Sequence, residues 1–338
     1  LDAAALDGFL NVTVEAAGDF TTGAINDVDI RLNTGSSIID TLDTDSSNVT
    51  LDATAMDGGT VELDGSGDAE IFGIGEGNTV DAQSGDFAGE LDVFSAGLSA
   101  GESFTVKTGT NATTVDSDGA TAKIEADRLS DDASGGSDAA DLTLRGSSLF
   151  TITALSADVM ADQTTGGLDI ATAEDAGSDD GSGEVRITTG SGDADITGTG
   201  ASGFVRVDAD EATGIDGGSG DTIRLDGEAT FVVDNVDTGV TIDAASGDEG
   251  VLSGGLTVNA EDSATDVVIK TGASDTVVNA DSGDFEVDAA AMVDDESAAN
   301  RRLDPLAVFL VLGFDIAQLA CLLALTGGLT NPFAVLLL

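Results

Sequence analysis

Apolar and polar residues alternate in short runs through the first 300 residues. Examples are residues 27–32, 184–187, 204–207 and 255–258. Alternation at period two gives a β-strand one apolar face and one polar face. The runs are short and end in Gly, Asp, Ser or Asn, which favour turns. The pattern therefore predicts many short strands, and no run before residue 300 predicts an amphipathic helix.

Two short sequences recur in this region. Leu1-Asp-Ala-Ala-Ala-Leu-Asp-Gly8 returns as Leu51-Asp-Ala-Thr-Ala-Met-Asp-Gly58, and a weaker copy starts at Val287. Ser-Gly-Asp starts at six serines, whose spacings fall within one residue of multiples of nine. It begins at Ser66, Ser84, Ser191, Ser219, Ser246 and Ser282. Repeats that cannot bury an apolar face alone do so by stacking.

These repeats predict an all-β fold, a β-solenoid or β-roll whose coils advance by nine or eighteen residues. A string of β-sandwich modules is the competing architecture. Such modules usually contain buried aromatic residues and some proline, whereas residues 1–300 contain no Trp, Tyr or Pro. The low aromatic content favours the narrower core of a solenoid.

Charge sets the chemistry of this region. The chain has 64 acidic and 11 basic residues, a formal net charge of −53. This charge repels nucleic acid and favours divalent cations or a protein adapted to brine. High charge with few aromatic residues also occurs in disordered chains, but the regular apolar clusters favour a folded region. Because residues 1–300 contain neither His nor Cys, thiol nucleophiles, His-based triads and common zinc sites are excluded there. We expect no enzyme.

Calcium is the metal that the acidic turns favour. It binds six to eight oxygen atoms from carboxylates and carbonyls in flexible loops, which Gly-Ser-Gly-Asp turns can offer. The candidate ligands are the aspartates of the six Ser-Gly-Asp sequences: Asp68, Asp86, Asp193, Asp221, Asp248 and Asp284. The alternative is that these residues only form turns and keep the protein soluble.

The turns also resemble those of RTX-type and S-layer-type bacterial surface proteins. The best local matches to their glycine-rich nonapeptide are Gly217-Gly-Ser-Gly-Asp-Thr-Ile223 and Gly135-Gly-Ser-Asp-Ala-Ala-Asp-Leu142. The first is one residue short, and the second has Asp138 where the third glycine should be. The resemblance implies a calcium-loaded β-roll with a structural or adhesive role at the cell surface. Its partners would be divalent cations, a surface ligand or further copies of the chain.

The composition changes abruptly near residue 300, which predicts a domain boundary there. Residues 306–325 form an apolar run interrupted by Asp315 and Gln318, long enough for a transmembrane helix. A polar loop at 326–332 and a second apolar run at 333–338 follow. We therefore expect residues 306–338 to bind a membrane. Since the chain starts with Leu and ends within an apolar run, it also reads as a fragment.

Residues 301–338 resemble the membrane domain of RegB/PrrB-type redox-responsive sensor histidine kinases. The most specific match is Gly327-Gly-Leu-Thr-Asn-Pro-Phe333, which fits that family's Gly-Gly-x-x-Asn-Pro-Phe sequence. The resemblance implies an inner-membrane segment and a ubiquinone-sensing loop. The quinone-binding residues it implies are Gly327, Gly328, Asn331, Pro332 and Phe333. The chain contains no His, so it cannot autophosphorylate on histidine.

The two regions predict opposite topologies. Arg301 and Arg302 before the apolar run favour a cytoplasmic location for residues 1–300, whereas an extracellular solenoid needs the other orientation. A chimeric gene would explain the conflict, and a natural fusion is the alternative. Two functions follow: a calcium-binding structural or adhesive surface protein, and a fragment of a membrane redox-sensing kinase that lacks the kinase core.

Overall fold

The structure is a computed structural model that describes most of the acidic region. The described residues are 10–14, 27–31, 37–41, 48–54, 56, 58–95, 97–129, 141–174, 176, 185–200, 202–209, 222–246, 250–260, 266–280 and 284–292, with side chains from residue 50 onward. By contacts the chain divides into two compact units, Leu1–Met292 and Val293–Leu338. All described residues lie in the first unit.

The described residues of this unit contain β-strands and no helix, as the alternation predicts. The strands are β1 Leu10–Val14, β2 Asp27–Arg31, β3 Ser37–Thr41, β4 Asn48–Asp52, β5 Thr60–Gly65, β6 Ala69–Ile74, β7 Thr79–Gly85, β8 Leu91–Ser95, β9 Ser103–Lys107, β10 Thr113–Asp116, β11 Thr121–Glu125, β12 Leu142–Gly146, β13 Leu149–Leu155, β14 Val159–Thr164, β15 Leu168–Thr172, β16 Val185–Thr188, β17 Ala194–Gly198, β18 Phe204–Asp208, β19 Thr222–Gly227, β20 Thr230–Val236, β21 Thr241–Asp243, β22 Leu256–Ala260, β23 Val267–Lys270, β24 Thr276–Asn279 and β25 Phe285–Asp288. Most have four to seven residues, as the short apolar runs require.

The strands form two parallel sheets. Odd-numbered strands make a sheet of 13 strands and even-numbered strands a sheet of 12, each in sequence order. Each coil therefore adds one strand to each sheet, which is the arrangement of a parallel β-solenoid. The predicted all-β solenoid is confirmed. The β-sandwich alternative is wrong, because sandwich sheets are antiparallel and every strand pair in the described residues is parallel.

Coil length varies more than the nine-residue spacing predicts. Ser103 pairs with Thr121, eighteen residues further along the chain. Thr113, however, pairs with Leu142, twenty-nine residues further along. Strand length stays short while the connections differ, so the extra residues lie in the turns. A fixed coil of nine or eighteen residues is therefore wrong, since only the strands have to stay in register.

Inward residues of successive coils stack in rows and fill the space between the sheets. In one row Phe104 pairs with Ala122, which pairs with Phe150, which pairs with Leu168. All four side chains are at most 2% exposed. The small Ala122 lies between the two phenylalanines, which lets both rings fit into a thin core.

The membrane prediction falls outside the described residues. These include neither the apolar run 306–325, nor the loop 326–332, nor the run 333–338. In the part of the chain that the structure describes, no helix has the length and apolar character needed to cross a bilayer. The transmembrane helix and the membrane as a partner stay predictions.

Candidate functional site

One type of turn builds its geometry around a buried aspartate. Asp81 is the last residue of β7 that pairs with β5 and β9, and it is 8% exposed. Its Oδ1 accepts hydrogen bonds from the backbone N–H groups of Gln83 (3.1 Å) and Ser84 (2.8 Å). Its Oδ2 accepts one from the Ser84 hydroxyl at 2.8 Å. A carboxylate that satisfies the next backbone donors fixes the turn locally.

The same turn recurs at Asp243, the last residue of β21. Its carboxylate accepts hydrogen bonds from the Ala245 N–H at 3.1 Å and the Ser246 hydroxyl at 2.7 Å. Lys270, which pairs with Asp243 across the next coil, donates to Oδ2 at 2.7 Å. The two turns share an Asp-Ala-x-Ser-Gly-Asp sequence, at 81–86 and 243–248. In both, the first aspartate shapes the turn.

The pKa of Asp243 lies below its ordinary value. Burial alone would raise this pKa, because a charge is less stable away from water. The hydrogen bonds from Lys270, Ser246 and Ala245, and the charge of Lys270, favour the ionised form and outweigh burial. The folded state thus binds this proton less readily than the unfolded state.

We expect Asp243→Asn to lower the free energy of unfolding at neutral pH by about 1–2 kcal/mol, since it weakens hydrogen bonds to a charged group. Because the folded pKa is depressed, the contribution of Asp243 is present above the unfolded pKa of about 4 and is lost as pH falls through the folded pKa. Urea unfolding at a series of pH values between about 2 and 7 measures how the free energy of unfolding depends on pH. The exposed Asp275→Asn is the matched control. Equal losses in both variants, or a loss independent of pH, would contradict the prediction.

Other turn carboxylates connect one coil to the next. Asp68 Oδ1 accepts the backbone N–H of Glu90 at 3.1 Å, and Asp193 Oδ1 that of Thr222 at 2.9 Å. Asp118 Oδ1 accepts hydrogen bonds from the backbone N–H and the hydroxyl of Ser147, each at 2.9 Å. Each partner lies in the following coil, so these bonds satisfy backbone donors in turns and, for Thr222, at the first residue of a strand.

The four candidate calcium ligands among the described residues lie apart from one another. Asp68 and Asp193 make the contacts between coils given above. Asp86 has a left-handed backbone with φ 58°, and its carboxylate meets Arg128 Nη2 at 2.5 Å. Asp284 is exposed and directly precedes β25. Asp221 and Asp248 lie outside the described residues. In the described ranges, no group of three or more acidic residues is placed to hold a metal ion.

Steric contact between coils explains why glycine occupies the middle position of Ser-Gly-Asp. A Cβ on Gly85 would lie 2.1 Å from the Leu63 carbonyl oxygen, and one on Gly192 would lie 2.1 Å from that of Gly166. Both oxygens belong to the preceding coil. Glycine is needed here because the backbones of successive coils approach each other closely.

Sequence reasoning missed the aspartates that shape the turns. It selected the last aspartate of Ser-Gly-Asp, whereas Asp81 and Asp243 stand three residues before the serine. The signal is visible in the sequence, since an apolar residue, Asp and Ala precede the turn in both copies. Burial identifies Asp243 as structural, because it is 3% exposed at the end of a strand.

The quinone residues implied by the C-terminal resemblance are not among the described residues. The described residues end at 292, before Gly327, Gly328, Asn331, Pro332 and Phe333. Their role stays a prediction from the sequence.

Comparisons with known proteins give one short similarity. A stretch of 39 residues is 59% identical to the sensor histidine kinase RegB of Cereibacter sphaeroides. It covers 12% of this chain and 8% of the kinase. No protein-family model matches the chain, and no solved structure matches it. The similarity is to the family that residues 301–338 resemble. It is too short to place the whole chain in that family, and the RTX-type and S-layer-type resemblance is not confirmed.

Proposed function

We propose that the acidic solenoid is a non-enzymatic structural or adhesive rod of the cell surface, stabilised by divalent cations, of which calcium is the physiological one. The parallel β-solenoid supports the structural role, because stacked coils give a long, regular surface from short repeats. The proposed surface location is consistent with the calcium role, because weak calcium sites fill only where the free ion is abundant.

The observation that carries the cation role is the register of like charges. Glu70 on β6 pairs directly with Asp92 on β8, and Asp169 on β15 with Asp195 on β17. Neighbouring strands lie about 4.8 Å apart, and like charges directly opposite are destabilising. A divalent cation beside such a pair would offset the repulsion that the register imposes.

A calcium titration at low salt tests this proposal. We expect added calcium to raise the melting temperature and the β-sheet circular dichroism of the chelator-treated protein, with a smaller effect of magnesium, which dehydrates reluctantly. Unchanged melting and circular dichroism at both low and high salt would exclude the proposal. Stabilisation by concentrated KCl alone would indicate a protein adapted to brine.

Two matched variants distinguish turn sites from diffuse counterions. One replaces the described turn aspartates Asp68, Asp86, Asp193 and Asp284 by Asn. The other replaces four outward strand carboxylates, Glu62, Glu70, Asp92 and Asp169, by their amides. Each removes the same charge, so a calcium response lost only in the first supports the turn sites. A response lost only in the second places the cations along the strand rows.

A further inference from the structure

The outer face of the even-numbered sheet contains an aromatic pair among carboxylates. Phe72 on β6 and Phe94 on β8 are directly paired across the two strands. Their rings stack with centroids 4.9 Å apart and planes 13° from parallel. Phe72 is 39% exposed, although a strand with this alternation normally turns a polar residue to water there. The core is filled by the inward residues of the same strands, since these are buried: Ala69, Ile71, Leu91 and Val93. The aromatic pair is therefore not needed to fill it.

A pair of like charges lies next to the rings. Glu70 and Asp92 stand two residues before Phe72 and Phe94 and therefore share their face of the sheet, about 7 Å away along each strand. They pair with each other across the strands. In the described part of the chain neither carboxylate has a hydrogen-bond or ion-pair partner. The row of the rings also continues to carboxylates on both sides, since Asp52 pairs with Phe72 and Asp116 with Phe94.

We propose that Phe72, Phe94, Glu70 and Asp92 form a docking surface for a basic peptide segment of a partner protein. We call these four residues the Phe–acid patch. An Arg or Lys side chain has an apolar stem and a charged head. On this patch the stem can lie against the exposed ring edges while the head meets the two carboxylates, which lie at the distance that such a side chain spans.

Charge complementarity selects a cationic occupant over a neutral or acidic one. The chain has a net charge of −53, so a basic segment is drawn to it from a distance. A cation between Glu70 and Asp92 also removes the repulsion of two like charges held in register. The stacked rings then distinguish this position from the other acidic rows, because they add apolar contact and cation–π attraction.

The inference deepens the adhesive role proposed above and rests on it, because it names a partner for the same surface. The test uses the full chain and a fluorescein-labelled hexa-arginine peptide, with binding followed by fluorescence anisotropy. We expect Phe72→Ala/Phe94→Ala to weaken binding by about fivefold or more, as loss of cation–π and apolar contact at a partly exposed site predicts. Glu70→Gln/Asp92→Asn should weaken it at least as much.

Glu174→Gln/Glu228→Gln is the matched control, since it removes two exposed charges beside β15 and β19, several strands away from β6 and β8. We expect it to stay within about twofold of the unchanged protein. Equal weakening by all three double variants would mean diffuse attraction to a polyanion and would overturn the proposal. Normal binding of the peptide by Phe72→Ala/Phe94→Ala would also overturn it. The same holds if the protein binds a neutral chito-oligosaccharide more tightly than the peptide and the phenylalanine variant loses that binding.

The calcium response of melting, measured in the same variants, separates this proposal from the function it rests on. Phe72→Ala/Phe94→Ala changes no charge and should keep the calcium response of the unchanged protein. Peptide binding that fails while calcium still stabilises the fold refutes the docking surface alone. A missing calcium response with ring-dependent peptide binding refutes the cation role alone.

Discussion

Phe150→Ala is expected to lower the free energy of unfolding by about 3–5 kcal/mol. Phe150 is fully buried on β13, and its row neighbours are Ala122 on one side and Leu168 on the other. Neither a small alanine nor a leucine fixed in its own coil can move in to fill the space of a lost ring. The variant therefore combines lost burial with a cavity that cannot collapse.

Phe72→Ala is the control for this substitution, because it makes the same chemical change on the outer face of the sheet. Phe72 is 39% exposed, so we expect it to lose less than about 1 kcal/mol. Urea unfolding followed by circular dichroism measures both variants. Losses of equal size would mean that Phe150 does not lie in a packed core, which would contradict the stacked-coil arrangement.

The strands in which Phe150→Ala loses stability are a second measurement on this variant. In a solenoid each coil contacts only its neighbours, so stability is close to a sum of local terms. Hydrogen exchange in Phe150→Ala should accelerate most in β13 and in β11 and β15, which both pair with β13. Acceleration spread evenly from β5 to β25 would instead indicate one cooperative unit.

The strands and their inward faces were predictable from the sequence, because a period of two is a local property. Val185 and Ile187 of β16 are buried, and Arg186 between them is exposed, as the alternation at 184–187 requires. The parallel stacking was predictable from the repeats, since a single coil has too little apolar surface to fold alone.

Coil length and the roles of single carboxylates were not predictable in the same way. Thr113 and Leu142 are neighbours through a twenty-nine-residue coil because their strands match, whatever the length of the turn between them. Asp68 ends a Ser-Gly-Asp sequence and Asp243 precedes one, but neither position tells which groups the carboxylate bonds. One bonds to the next coil and the other shapes its own turn, and this difference depends on which backbone donors lie nearby.

Gly192→Ala is expected to lower the free energy of unfolding by about 1–3 kcal/mol. An added Cβ would lie 2.1 Å from the Gly166 carbonyl oxygen and 2.6 Å from its carbonyl carbon. Both are backbone atoms of the preceding coil, so they cannot move aside as a flexible side chain would. The two turns must separate, and the contact that Asp193 makes with Thr222 on the other side is expected to lengthen as they do.

Gly97→Ala is the matched control, because a Cβ there would meet no atom within 4 Å. In an open loop the alanine should be neutral or slightly stabilising, since it restricts the unfolded chain. Thermal and urea unfolding of the two variants therefore separate contact between coils from the general effect of replacing glycine. If both alanines were tolerated equally, the Ser-Gly-Asp turns would not lie in contact from coil to coil. The glycine would then serve the turn alone.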